Sequence, residues 1–316
     1  MTVKSQAHER LLDREHTKAS VQRLFGSALE VLRELINEAT HLQVRALKTS
    51  RRETPDVVLL GMLFPRIIKL LDTIEILSRA GQAYGARPSL RSLIEGAWGI
   101  EWMLRTDFER RGRQYYVVEL RDRIAENEAF IPGTKAYQRR GEDVSSERLR
   151  DLLGDRNGEE IASREIDRTW RHIKNEPDLL VISNEVDRQG KSPPSVRWFQ
   201  LFDGPSDYRK LARVLGRGDE YQFSYQGLSH AVHGTLTQDH VWIDKPGVAH
   251  MQPIRAIESV TAILDLTWAL ALRTYGLVLT HYRPGEKPAL RNRFFPEGKS
   301  RFITPEVEVQ RDLRIL

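Results

Sequence analysis

Cysteine is missing from all 316 residues. No disulfide can form, no thiolate can hold zinc, and no thiol can serve as a nucleophile. The absence also suits the cytoplasm. Glycine (21) and proline (14) are too few for a fibrous or disordered chain. There is no glycine-rich phosphate loop, no HExxH pair, no nucleophile elbow, no internal repeat and no low-complexity block. An uninterrupted membrane-length apolar run is missing too. The longest apolar stretch, "VTAILDLTWALALRTYGLVL" at 260–279, carries Asp265 and Arg273, which predicts a buried helix and no membrane partner. The first twenty residues are polar and mixed in charge, which predicts a chain without a signal peptide. The expected location is therefore the cytoplasm. Neither sign of charge dominates: 49 Lys+Arg against 44 Asp+Glu leaves +5, an excess that permits contact with RNA or DNA without requiring it.

What is present is helical periodicity. In 21–42, Val21, Leu24, Phe25, Ala28, Leu32, Leu35 and Ile36 recur on one face. The run from Thr54 to Gly81 is apolar around most of its circumference, with Thr54 as cap, Pro55 at the first helical position, a kink expected at Pro65, and Gly81 as the stop. Residues 86–106 predict a third helix beginning at Pro88 or Ser89, and "DFERRGRQYYVVELRDRIAENEAF" a fourth. The predicted fold class is all-α, a helical bundle with long central helices, an irregular helical insertion and an extended C-terminal tail. The expected divisions are an N-terminal amphipathic region (1–50), two core halves (51–130 and 205–283), an insertion or cap (131–204) and the tail (284–316). "FITPEVEVQ" could supply a strand, for which the sequence shows no partner.

Three constellations could carry chemistry. Arg91 and Glu95 are four residues apart among Leu90, Leu93, Ile94, Ala97 and Trp98, so the pair should be partly buried. It serves equally as a structural ion pair or as an anion holder with an acid/base. In "YQGLSHAVHG", Tyr225, Ser229 and His233 also fall four apart and can form a hydrogen-bonded row ending in a histidine that titrates near neutrality. A satisfied core histidine is the plain alternative. His230, His233, Asp239 and His240 could gather around a metal only if the chain turns at Gly234, and their spacing matches no metal motif, so no metal and no cofactor is expected. Arg168 and His172 in "RTWRHIKNE" read as an exposed face, and Trp98, Trp102 and Trp268 as core.

"SLRSLIEGAWGIEWML" (89–104) followed by "YQGLSHAVHG" (225–234) resembles the bacterial family named domain of unknown function 5677, over roughly 55–282. The resemblance implies a helical fold with an Arg-x-x-x-Glu helix and a later Ser-x-x-x-His-Gly helix. More distantly, the late polar histidine resembles the HEPN superfamily. That likeness implies a metal-independent ribonuclease of a defence system, acting on RNA as a homodimer, in which helix 21–42 could serve the dimer. His233 would be its general acid/base, with Ser229 and Tyr225 positioning the phosphate. Ser229 stands where the superfamily pattern has arginine, so Arg91 would come from another helix, oriented by Glu95. The other expectation is a module that binds a ligand or a cognate protein partner, with the same five residues as an interior network.

Overall fold

The structure is a computed structural model that describes residues 2–4, 12–143, 158–190, 196–233, 241–243, 247, 249–251, 254–255 and 257–308. The side chains of 2–4, 140–143, 230–233, 242, 249–251 and 308 lie outside that description. The fold is all-α, and the chain divides into two compact units. The first comprises Met1–Arg52, Leu59–Leu104 and Ala212–Leu316; the second comprises Glu53–Val58 and Arg105–Leu211.

In the first unit, α1 (Arg14–Thr49) starts at Asp13, whose carboxylate accepts from the His16 N–H at 2.9 Å. Its buried stripe of Val21, Phe25, Ala28, Leu32, Leu35 and Ile36 is the one the periodicity predicts, continued to Leu42 and Ala46. That face closes on the chain's own core, so it does not offer itself to a second copy.

The helical run 54–79 holds a π-helical stretch, Val57–Leu63, directly before α2 (Phe64–Arg79). Pro65 is the cause. It brings no N–H, and its ring crowds the preceding turn. Widening the helix upstream absorbs that misfit. In the π register the Leu60 carbonyl would look to residue 65, which cannot donate. The Gln43 side chain supplies the bond instead, at 2.9 Å. The start is capped by Glu53, one residue ahead of the expected Thr54, with its N–H bonded to Asp56 Oδ2 at 3.3 Å.

Gly81 ends α2 as expected, at φ 71°. Gln82 N–H reaches back to the Leu77 carbonyl at 2.7 Å, the wider of the bonds that close a Schellman turn. A Cβ at Gly81 would stand 2.3 Å from Thr17 Cγ2, so no other residue fits. Helix α3 (Ala83–Arg105) begins one turn before the expected start and contains Pro88. Pro88 forfeits one hydrogen bond within this helix, while Ala83 and Ala86 in the turn before it are buried.

The second unit contains α4 (Phe108–Glu128), α5 (Gly158–Asn175) and α6 (Pro177–Arg188). An apolar cluster of Val117, Ile124, Ile173, Leu179, Ile182 and Val186 joins them, so α4 and the stretch read as an insertion share one core. The turn after Trp198–Gln200 is tight: Phe202 and Asp203 have φ 53° and 63°. A Cβ on Gly204 would lie 2.0 Å from the Phe199 carbonyl oxygen. Buried Glu185 anchors this turn by accepting from the Phe202 N–H at 3.1 Å. The Arg188 guanidinium, bonded to the same carboxylate, holds its pKa at about 2, well below the ordinary 4.5.

Back in the first unit, residues 218–233 are one helical run: a turn at Gly218–Glu220, a π-helical stretch Tyr221–Tyr225, then α7 (Gln226–His233). Helix α8 (Ser259–Tyr282) buries Val260, Leu264, Leu270, Ala271, Tyr275 and Val278. Among the described residues it is the one helix apolar and long enough to cross a membrane, and 56% of that window is buried within the fold.

The tail expected to be extended is helical over 284–301, in short turns that include α9 (Lys287–Asn292) and π-helical Arg293–Gly298. Pro284 and Pro288 sit in first turns, where a helix accepts proline. Past residue 301 the chain runs extended into a strand. Glu306–Glu308 pairs in parallel with Thr2–Lys4, a partner some 300 residues away that no local pattern could reveal. A second two-stranded pair, Val241–Ile243 with Ala249–Met251, is antiparallel.

Candidate functional site

Helix α3 lays Arg91, Glu95 and Trp98 along one side at spacings of four and three, with Glu101 a turn further. Against that stripe the π-helical stretch presents Tyr221 and Tyr225. The wide turn lets their rings stack at 5.4 Å with 27° between planes, and the Trp98 ring lies 5.3 Å from that of Tyr225.

Three of the five expected site residues meet here. The Tyr225 hydroxyl donates to Glu95 Oε1 at 2.7 Å and accepts from an Arg91 terminal nitrogen at 3.1 Å. Arg91 Nε is 3.3 Å from the same Glu95 oxygen, and the guanidinium lies over the Tyr225 ring at 5.1 Å. Tyr225 is buried, while Arg91 and Glu95 each keep 20% of the side chain exposed, at the edge of solvent. Burial first, and then the Glu95 carboxylate, push the Tyr225 phenol up to about 12. It stays protonated in any ordinary medium and acts as a bridge, not as a base.

Ser229 lies one turn along α7, half-buried, with no hydrogen-bond partner among the described residues. Helix α7 reaches His233, whose side chain lies outside the described ones, as does that of His230. Asp239 and His240 fall outside the described residues altogether. Among the described residues no three acidic or histidine side chains gather to hold a metal. Elsewhere, exposed Arg168 pairs with Glu165 at 3.4 Å, and His172 meets the Tyr116 hydroxyl at 3.2 Å.

The sequence reading missed the second half of the network. Trp98 Nε1 donates to Glu220 Oε1 at 2.6 Å. Arg273 grips both oxygens of Glu220, at 2.7 and 2.9 Å, and stands 3.6 Å from Glu101. Arg217 takes both oxygens of Glu101, at 3.2 and 2.9 Å. Two arginines and two glutamates thus neutralise each other between three helical elements. One signal for this was available: a single arginine inside an apolar helix must find an acid. Arg273 served only as an argument against a membrane span.

Next to this network is an open pocket of ≈ 370 Å³, whose lining includes Arg87, Leu90, Phe223, Gly227, Leu228 and Ile263. Leu90 is the chain neighbour of Arg91. Phe223 is 82% exposed, and Arg87 reaches the Ser259 hydroxyl at 3.3 Å at the start of α8.

Among families, the model of a family of unknown function, DUF5677, matches residues 57–247, a span that contains both α3 and α7. No curated protein and no solved structure matches the chain.

Proposed function

We propose, taking as premise that this chain belongs to the DUF5677 family, that it is a non-catalytic helical module that binds a small ligand in the cytoplasm. The pocket between α3, α7 and α8 is its site. One observation carries this reading. Arg91, Glu95 and Tyr225 are engaged with one another, while an apolar pocket opens one residue away from them. At about 30 Å³ per water-sized unit, its volume suits a ligand of roughly a dozen non-hydrogen atoms. Leu90, Leu228 and Ile263 supply the apolar walls, and Arg87, Ser224 and Ser259 the polar contacts.

A second reading draws support from α3 and the 218–233 run lying side by side. That placement puts Arg91 against the run that carries Ser229 and His233. In it the chain is a metal-independent ribonuclease, a homodimer of a defence system, with His233 as general acid/base. A cognate protein is the remaining partner class.

One set of measurements separates these. Gly227 lines the pocket and a Cβ there meets nothing within 4 Å, so Gly227→Leu adds bulk to its wall. A thermal-shift screen of small aromatic and branched carboxylic acids should stabilise the wild type and leave Gly227→Leu unmoved. Purified wild type and His233→Ala should both leave tRNA and mRNA intact. Cleavage of RNA by the wild type that His233→Ala abolishes would reverse the order of the two readings.

A further inference from the structure

Helix α8 is apolar around most of its circumference, a pattern that calls for burial on all sides. Among the described residues one face is left uncovered. Between it and the turns of 287–295 runs a groove of ≈ 650 Å³, floored by Ala269 and Gly276 and walled by Trp268, Leu272, Leu277 and Phe295. Its lining on α8 extends from residue 268 to 280, about 18 Å at 1.5 Å per residue. The groove is therefore long, and by water-sized units it holds about twenty non-hydrogen atoms. It lies outside residues 57–247 and apart from the pocket assigned above.

Its polar groups are of one sign. Lys287 and Arg291 stand on its edge, both exposed. The Lys287 ammonium bonds to the Thr280 hydroxyl at 3.1 Å, and neither cation has a carboxylate in ion-pair distance among the described residues. The neighbouring acid, Glu286, is already held by Arg45 and Arg283. A third cation in the lining, Arg273, is turned to Glu220.

We infer that this groove is a binding site for a single-chain anionic amphiphile, a medium- to long-chain carboxylate. The chain lies along α8 over Gly276, and the head group is held by Lys287 and Arg291. Length favours an extended chain over a compact ring, and two cations without acids favour an anionic head.

The test uses the full-length protein and dodecanoate below its aggregation concentration, followed by titration calorimetry. Gly276 lines the groove and a Cβ there meets nothing within 4 Å, so Gly276→Leu adds bulk to the groove and replaces a poor helix former. The expected result is one dodecanoate per chain, at least tenfold weaker binding for Gly276→Leu with no loss of melting temperature, and at least tenfold weaker binding for Lys287→Glu/Arg291→Glu. Dodecan-1-ol should bind at least tenfold more weakly than dodecanoate. No saturable binding to the wild type, or binding that Gly276→Leu leaves unchanged, overturns the inference. So does sedimentation showing a wild-type dimer that Gly276→Leu dissociates, because the groove would then seat a second copy.

Discussion

At the scale of single residues, the Tyr225 hydroxyl is the hinge of the site: it gives to one charged partner and takes from the other. Tyr225→Phe leaves the Arg91–Glu95 pair in place but removes both bonds, each to a charged group. The expected cost is about 1–3 kcal/mol, a fall of roughly 2–4 °C per kcal/mol in a circular-dichroism melt. Asp122 on α4 makes a prediction of a different kind. Burial first, and then Glu119 and Glu126, raise its carboxyl from 3.8 to about 6, and Oδ1 has no partner among the described residues. The folded protein therefore holds this proton more tightly than the unfolded chain. This group's contribution to stability is fully present below pH 3.8 and is lost as pH rises through about 6. Asp122→Asn should flatten that slope and gain on the order of 1 kcal/mol at pH 7, after discounting for solvent screening of a half-exposed group. Denaturant titrations at pH 4 and pH 7 read both. The Arg91–Glu95 pair was legible in the sequence because spacing of four on an apolar face leaves few alternatives. The glutamate that Arg273 grips was not, since Glu220 lies 53 residues away and only packing selects it.

Elements were more legible than their meetings. Apolar periodicity located α1, α3 and α8, because a helix that must bury one face writes that face into its sequence. The errors fell at prolines. Pro65 widens a helix, Pro88 lies within one, and Pro284 and Pro288 start turns in a tail read as extended. Proline's missing donor is certain from the sequence, but how the chain makes up for it depends on a neighbour. Gln43 is that neighbour at Leu60. Gln43→Leu should leave this carbonyl without its donor and cost about 1–3 kcal/mol. Hydrogen exchange should show faster opening across 57–63, and unchanged protection there would refute the role given to Gln43.

On the scale of the whole molecule, the all-α class followed from composition and period, whereas long-range closure did not. The parallel pairing of Thr2–Lys4 with Glu306–Glu308 and the sharing of one core by α4, α5 and α6 are choices of packing that no window of sequence displays. The π-helical stretch at Tyr221–Tyr225 belongs with these, and it sets the phase of everything after it. A wide turn amounts to one residue added to a regular helix, and each residue turns the helix by about 100°. Deleting Gln222 should therefore rotate α7 by about a quarter turn against α3. The residues of α7 would then face another side while the α-helical content measured by circular dichroism is kept. In this stretch a single codon lost or gained works as a selector of which side of a helix looks inward.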